Sequence, residues 1–173
     1  MSLPLPRSVG VESDDELFCF RVAVDPDELR VTGYESRIKD ELSAQLPEGC
    51  ELLSVSIALP GRSFQPSTAT YVLAVKAEYL DEKLKATIER LLASEKLNIQ
   101  RKAGIKLLKF KNLDVRGFLK SIKVEDRSII VECNISSTGS IRVEEILRLL
   151  ELDEGKLASP VRRTNVQWQV NES

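Results

Sequence analysis

The sequence predicts an α+β fold: two ferredoxin-like α/β sandwich halves with mainly antiparallel sheets. Three observations predict it. Apolar residues alternate in short runs, as in Phe18, Phe20, Val22 and Val24 or Ile129, Val131 and Cys133, which is the two-residue period of a strand. Between such runs lie apolar stripes at helical spacing, Tyr34, Ile38, Leu42 and Leu46, then Leu80, Leu84, Ile88, Leu91 and Leu92. The elements of the first half follow one another as β–α–β–β–α, an order typical of α+β sandwiches.

Taken in order, the first strand is expected at Leu17–Val24, after an acidic loop, and "DPDE" at 25–28 is a turn. A helix follows over Tyr34–Leu46, with Thr32 and Glu35 at capping-box spacing and Pro47 and Gly49 stopping it. Cys50–Leu59 alternates through Leu53, Val55 and Ile57 and reads as a strand. "PGRSFQPST" reads as a loop, either a plain connector or a recognition loop, and Ala69–Glu78 as the next strand. The second helix is expected over Leu80–Ala93. A seam at Ser94–Glu95 then divides the chain into halves 11–94 and 95–171.

The second half begins with a strand at Leu97–Arg101, a basic turn "RKAG", and a strand at Ile105–Asn112. "LDVRGFLKSIKVED" reads as a helical turn and a strand, and "RSIIVECN" as another strand. "STGS" at 137–140 either caps a helix at Val143–Leu150 or offers an anion site there. Arg163–Val170 is the last strand.

The composition narrows the chemistry. The chain has 173 residues, a net charge of −2 and no histidine. Without histidine, the commonest general acid–base group, Ser–His and Cys–His nucleophile pairs and the usual zinc ligand sets are all excluded. Cys19, Cys50 and Cys133 are widely spaced, and an odd number without a CxxC pair suits reduced thiols. Asp14-Asp15-Glu16 tests as a metal or acid–base cluster and fails, because neighbouring carboxylates on a strand point to opposite faces; a solvated loop is expected. No apolar run approaches the ~20 residues needed to cross a bilayer, and no basic-then-apolar leader is present, so a cytoplasmic protein is expected.

Charge is unevenly distributed. Residues 1–94 hold 10 Lys and Arg against 16 Asp and Glu, a net of −6; residues 95–173 hold 15 against 11, a net of +4. Within 96–127 the count is 10 against 3, a net of +7. Lys109 and Lys111 alternate with Leu108 and Phe110, so a strand there is expected to bury the apolar pair and line its outer face with cations. Arg101, Lys102, Lys106, Lys109, Lys111, Arg116 and Lys120 are the candidate phosphate contacts of a nucleic acid, and RNA is the preferred class. The competing reading is a solvated sheet face balanced by the acidic first half.

Four stretches, "LPLPRSVGVESDDELFCFRV", "QLPEGCELLSVSIAL", "LDVRGFLKSIKVEDRSIIVECN" and "SIRVEEILRLL", together resemble a bacterial domain of unknown function linked to radical SAM proteins. That domain forms the C-terminal part of cobalamin-binding radical SAM proteins, or a separate chain encoded beside one. Where its motifs carry proline, this chain has Gly117 and Val143, which bears on where two helical turns start. Members carry a further strand–helix unit with a histidine-containing "SQGFNPHPK"-like loop before the first motif; its absence leads to the expectation of a fragment or a shortened domain, with "MSL" an expression scar. The resemblance implies a radical SAM context and no activity by itself; in that context a non-catalytic accessory module is expected that recognises substrate, with RNA preferred on the strength of the basic segment, or that docks a radical SAM domain without binding nucleic acid. No cofactor is expected in this chain: the resemblance implies that iron–sulfur cluster, SAM and cobalamin belong to the partner. A self-contained hydrolase or transferase is the remaining alternative, and turnover by the isolated chain would be needed to support it.

Overall fold

The computed structural model describes residues 5–6, 8–21, 33–58, 61–103 and 109–172, with backbone alone for Lys102, Ala103, Lys109 and Glu172. Among them are seven strands: β1 (Val11–Ser13), β2 (Arg62–Ala74), β3 (Asn98–Ala103), β4 (Lys109–Asp114), β5 (Leu119–Glu125), β6 (Ser128–Asn134) and β7 (Val161–Glu172). Three α-helices accompany them: α1 (Tyr34–Ser43), α2 (Glu82–Ala93) and α3 (Val143–Leu149). Five strands form one sheet in the order β1-β7-β2-β6-β5, with β1 parallel to β7 and the other neighbours antiparallel. β3 and β4 form a separate antiparallel pair. The α+β class therefore holds. β2, which precedes Ser94, lies between β7 and β6, which follow it.

One core joins the sheet to both later helices. Leu73 of β2, Val75 just beyond it, Ile129, Val131 and Cys133 of β6, and Ile122 of β5 are buried with Leu84, Ile88 and Leu91 of α2 and Ile146 of α3. Each such side chain contributes about 1.5–3 kcal/mol through the apolar area it removes from water. Asp81 starts α2, its Oδ1 accepting the Leu84 N–H at 2.9 Å. α3 is started differently from expectation. Glu145 reaches back to accept the Arg142 N–H at 2.9 Å, and no side chain from "STGS" serves as its cap.

Four other expectations are corrected. The first strand is Val11–Ser13; Leu17–Arg21 lies outside the strands, and 22–24 fall outside the described residues, as do "DPDE" and Thr32. The ladder stops because acids replace it. The Asp14 N–H still reaches the Arg163 carbonyl, but Asp15 Oδ2 then takes the Val166 N–H at 2.8 Å, which a neighbouring strand would have bonded. Cys50–Ala58 forms no strand, and Leu59 falls outside the described residues. Its alternation finds no ladder; instead Glu35 accepts the Ile57 N–H at 2.8 Å and Lys39 Nζ donates to the Leu53 carbonyl at 2.8 Å. "PGRSFQPST" is no loop beyond Gly61, since β2 begins at Arg62. Pro66, which lacks an N–H, sits where the β2–β7 register shifts between Pro66 and Thr68, the place a strand tolerates proline. Finally, "RKA" of the expected basic turn continues β3 through Ala103, and Gly104 falls outside the described residues.

Candidate nucleic-acid interface

The β3–β4 pair is set by its root. Ile99 faces Leu113 across the ladder; Ile99 is buried, Leu113 packs on the core, and Val115 just beyond is fully buried. Cross-strand partners share a face, so this root fixes which residues point out. Arg101 and Lys111, also partners, lie on the Ile99 side. Asn98, Gln100, Phe110, Asn112 and Asp114 lie on the other, and all are exposed. Phe110 is 59% exposed. The expectation that Phe110 would be buried and the lysines displayed is thus half reversed: Lys111 is exposed, but so is the aromatic ring. The phase follows Ile99 and Leu113, whose burial outweighs that of a single ring nearer the tip.

The seven candidate cations separate into different environments. Arg101 makes a fork against Glu145, Nε to Oε1 at 2.9 Å and Nη2 to Oε2 at 2.7 Å, and Nη2 also donates to the Ser140 carbonyl at 3.0 Å. Arg116 donates to three carbonyls, of Ser94 (2.9 Å), Leu119 (2.8 Å) and Leu92 (3.1 Å), tying the end of α2 to the start of β5. Lys120 pairs with Glu132 at 2.6 Å across β5 and β6. Lys111 has no ion pair among the described residues. Lys102 and Lys109 are β-ladder residues of the pair, opposite Phe110 and Ala103, and Lys106 falls outside the described residues.

Glu145 is 4% exposed. Burial pushes its carboxyl upward, but the Arg101 hydrogen bonds, the Arg142 N–H and the charges of Arg101 and Arg142 outweigh that and hold it below the usual glutamate range. It is therefore ionised at neutral pH and fixes Arg101. Asp114, at the root, is likewise held low, by the N–H groups of Arg116 and Leu97. Burial pushes the Cys133 thiol up to about 12, which makes it an inert core group.

At the root of the exposed face, Asn98 also lines a cleft of about 370 Å³ with Arg90, Ser94, Lys96 and Arg148. Its one acid, Glu151, is occupied by Lys83 at 3.2 Å and Arg90 at 3.1 Å. Arg90 and Arg148 end α2 and α3, where cations also offset the helix dipole. Asn98 is thus common to the cation-rich cleft and to the face that displays Phe110.

Composition missed two buried charges, Glu145 and Arg163. The signal for Glu145 was its place three residues after Arg142, at the start of an apolar stripe. The acidic stretch is an irregular segment with Asp14 and Glu16 exposed, as expected, but its acids are engaged: Asp14 pairs with Arg162 at 2.8 Å, Glu16 with the buried Arg163 at 2.7 Å, and Asp15 serves Val166. The three acids lie just past the end of β1 and each meets β7. Among the described residues no group of three or more Cys, Asp or Glu could hold a metal ion, and no helix is long and apolar enough to cross a membrane.

The sequence model of a family described as an uncharacterized protein conserved in bacteria, DUF2344, matches residues 1–148. No curated protein and no solved structure matches the chain.

Proposed function

Because the chain belongs to this bacterial family, DUF2344, whose description assigns no activity, we propose its function from geometry: a non-catalytic accessory module that binds single-stranded RNA on the outer face of β3–β4. The observation that carries this reading is Phe110, displayed on a strand beside Gln100 and Asn112. An exposed ring offers a stacking platform for an unpaired base, and neighbouring amides can donate to and accept from base edges. The cleft cations Arg90, Lys96 and Arg148 supply phosphate contacts, while Lys111 lies on the opposite face of the pair. Arg101 and Arg116 hold the platform in place and leave few donors for RNA. Chemistry, in this reading, belongs to a radical SAM partner that carries its own iron–sulfur cluster, SAM and cobalamin; the chain itself has no histidine.

A second reading rests on a separate observation. Phe18 and Phe20, with ring centroids 5.7 Å apart, and Leu53 and Ile57 are exposed large apolar residues outside the hairpin. They support a docking module for that partner, with or without RNA.

The test is binding of labelled single-stranded and duplex RNA, by anisotropy, at about 50 and 200 mM salt. The expected result is preference for the single strand, with a log–log slope of several units. Binding to neither RNA at the lower salt would remove the RNA reading, and capture of a radical SAM protein by the same chain would then favour docking alone.

A further inference from the structure

A second cleft, of about 250 Å³, lies away from the hairpin's outer face and draws its polar lining from four separate parts of the chain. Ser8 comes from the segment before β1, Tyr71 from β2, Ser140 and Arg142 from the loop before α3, and Arg163 from β7. We propose that this cleft is a binding site for a small phosphate monoester, gripped by Arg142 and Arg163 and by the hydroxyls of Ser8, Tyr71 and Ser140.

Among the described residues the lining is rich in donors and contains no acid. Arg163 is 1% exposed, a costly place for a guanidinium in the middle of a strand. It is held there by Glu16 at 2.7 Å, the Leu5 carbonyl at 3.2 Å and Ser13 Oγ at 3.3 Å. These contacts use Nε and Nη2; Arg163 also hydrogen-bonds Tyr71, and a guanidinium has five N–H groups in a fixed fork, so the Arg163–Tyr71 pair faces the cleft together. The other cation is available in a different sense. Arg142 meets Glu144 at 3.6 Å with both side chains more than half exposed, a pairing worth little and readily exchanged. Burial raises the pKa of Tyr71 although Arg163 opposes it, so the phenol keeps its proton and remains a donor.

Two features select phosphate over carboxylate. Two separate guanidiniums and three hydroxyls outnumber what the two oxygens of a carboxylate can accept from different directions, while three phosphate oxygens accept them all. Buried Val11 and Ile141 complete the wall, and apolar surroundings strengthen charged hydrogen bonds. The volume equals about eight waters at ~30 Å³ each and falls below the usual ~300–1,000 Å³ of larger ligand sites. It suits a phosphate with a body of a few carbons and is too small for a dinucleotide. The wall is also stiffened from outside: Arg101 holds the Ser140 carbonyl, and Glu145 holds the Arg142 N–H. Arg101 is in this sense a positioning residue for the cleft.

The test is isothermal titration of the whole chain with inorganic phosphate and with glycerol phosphate at constant ionic strength, with acetate as the carboxylate comparison. The expected result is saturable binding of both phosphates in the range up to about 1 mM and acetate weaker by about tenfold or more, the value of a charged hydrogen bond or two. Arg142→Gln and Tyr71→Phe should each weaken phosphate about tenfold. Both keep the fold, since the Arg142 side chain is exposed and Tyr71→Phe retains the ring. No saturable phosphate binding, acetate bound as well as phosphate, or binding indifferent to both variants would overturn the proposal. Phe110→Ala should leave phosphate binding unchanged, so this site and the RNA platform stand or fall separately.

Discussion

The five-stranded sheet and the β3–β4 pair handle charge in opposite ways. In the sheet, charges are joined to one another: Asp14 with Arg162, Glu16 with Arg163, Lys120 with Glu132. In the pair, the inner face sends Arg101 into Glu145 with Lys111 opposite it, and the outer face holds an aromatic ring and amides. The difference teaches that the most basic stretch of a sequence need not be a row of contacts. Its arginines are consumed where backbone carbonyls and a buried carboxylate need donors. What it presents to solvent is decided by which residues its root must bury.

The comparison breaks most sharply at Arg101. Arg101→Ala leaves Glu145 buried and unpaired, and should cost about 3 kcal/mol, the low end for breaking a buried pair because Arg101 is partly exposed. Urea unfolding measures it as a lower midpoint with unchanged slope. Arg101→Met with Glu145→Leu should recover most of the loss, because neither charge is then stranded. Arg116→Ala, which leaves three carbonyls short of a donor, should cost about 2 kcal/mol in the same assay.

Phe110→Ala should do the reverse. It should weaken single-stranded RNA by about 5- to 150-fold, the value of one lost stack, with stability within about 0.5 kcal/mol of the wild type. A pH series sharpens the Arg101 side. The folded-state pKa of Glu145 is depressed, so its contribution is fully present above the unfolded value of about 4.3 and is lost as pH falls through the lower folded value. Unfolding midpoints should therefore drop more steeply below about pH 4 in the wild type than in Arg101→Met/Glu145→Leu. The smallest effect belongs to Lys96→Ala in the cleft, which should leave stability unchanged and lower the salt slope of single-strand binding by about 0.7.

Elements with a local signal were legible in the sequence. Both later helices, β5, β6 and β7 lie where periodicity places them, because their apolar stripes meet a core. Cys50–Ala58 carries the same alternation as β6 but meets no ladder, and alternation specifies a face without supplying a partner. β2 starts within the stretch that reads as a loop; the register shift that accommodates Pro66 is a property of the pair and has no local signal. At the candidate site the cations were visible and their fates were not. Arg101 finds Glu145 forty-four positions away, and no local pattern encodes such a meeting. The phase of Phe110 depended on Leu113, three residues along, whose burial is a tertiary fact.

The most direct measurement titrates labelled single-stranded RNA with the wild type, Phe110→Ala and Phe110→Tyr at one salt concentration, with unfolding midpoints taken on the same samples. The account predicts equal midpoints, tyrosine binding close to the wild type because it retains a stacking face, and alanine binding much more weakly. Equal binding by all three folded proteins would contradict the claim that the outer face of β3–β4 is an RNA platform.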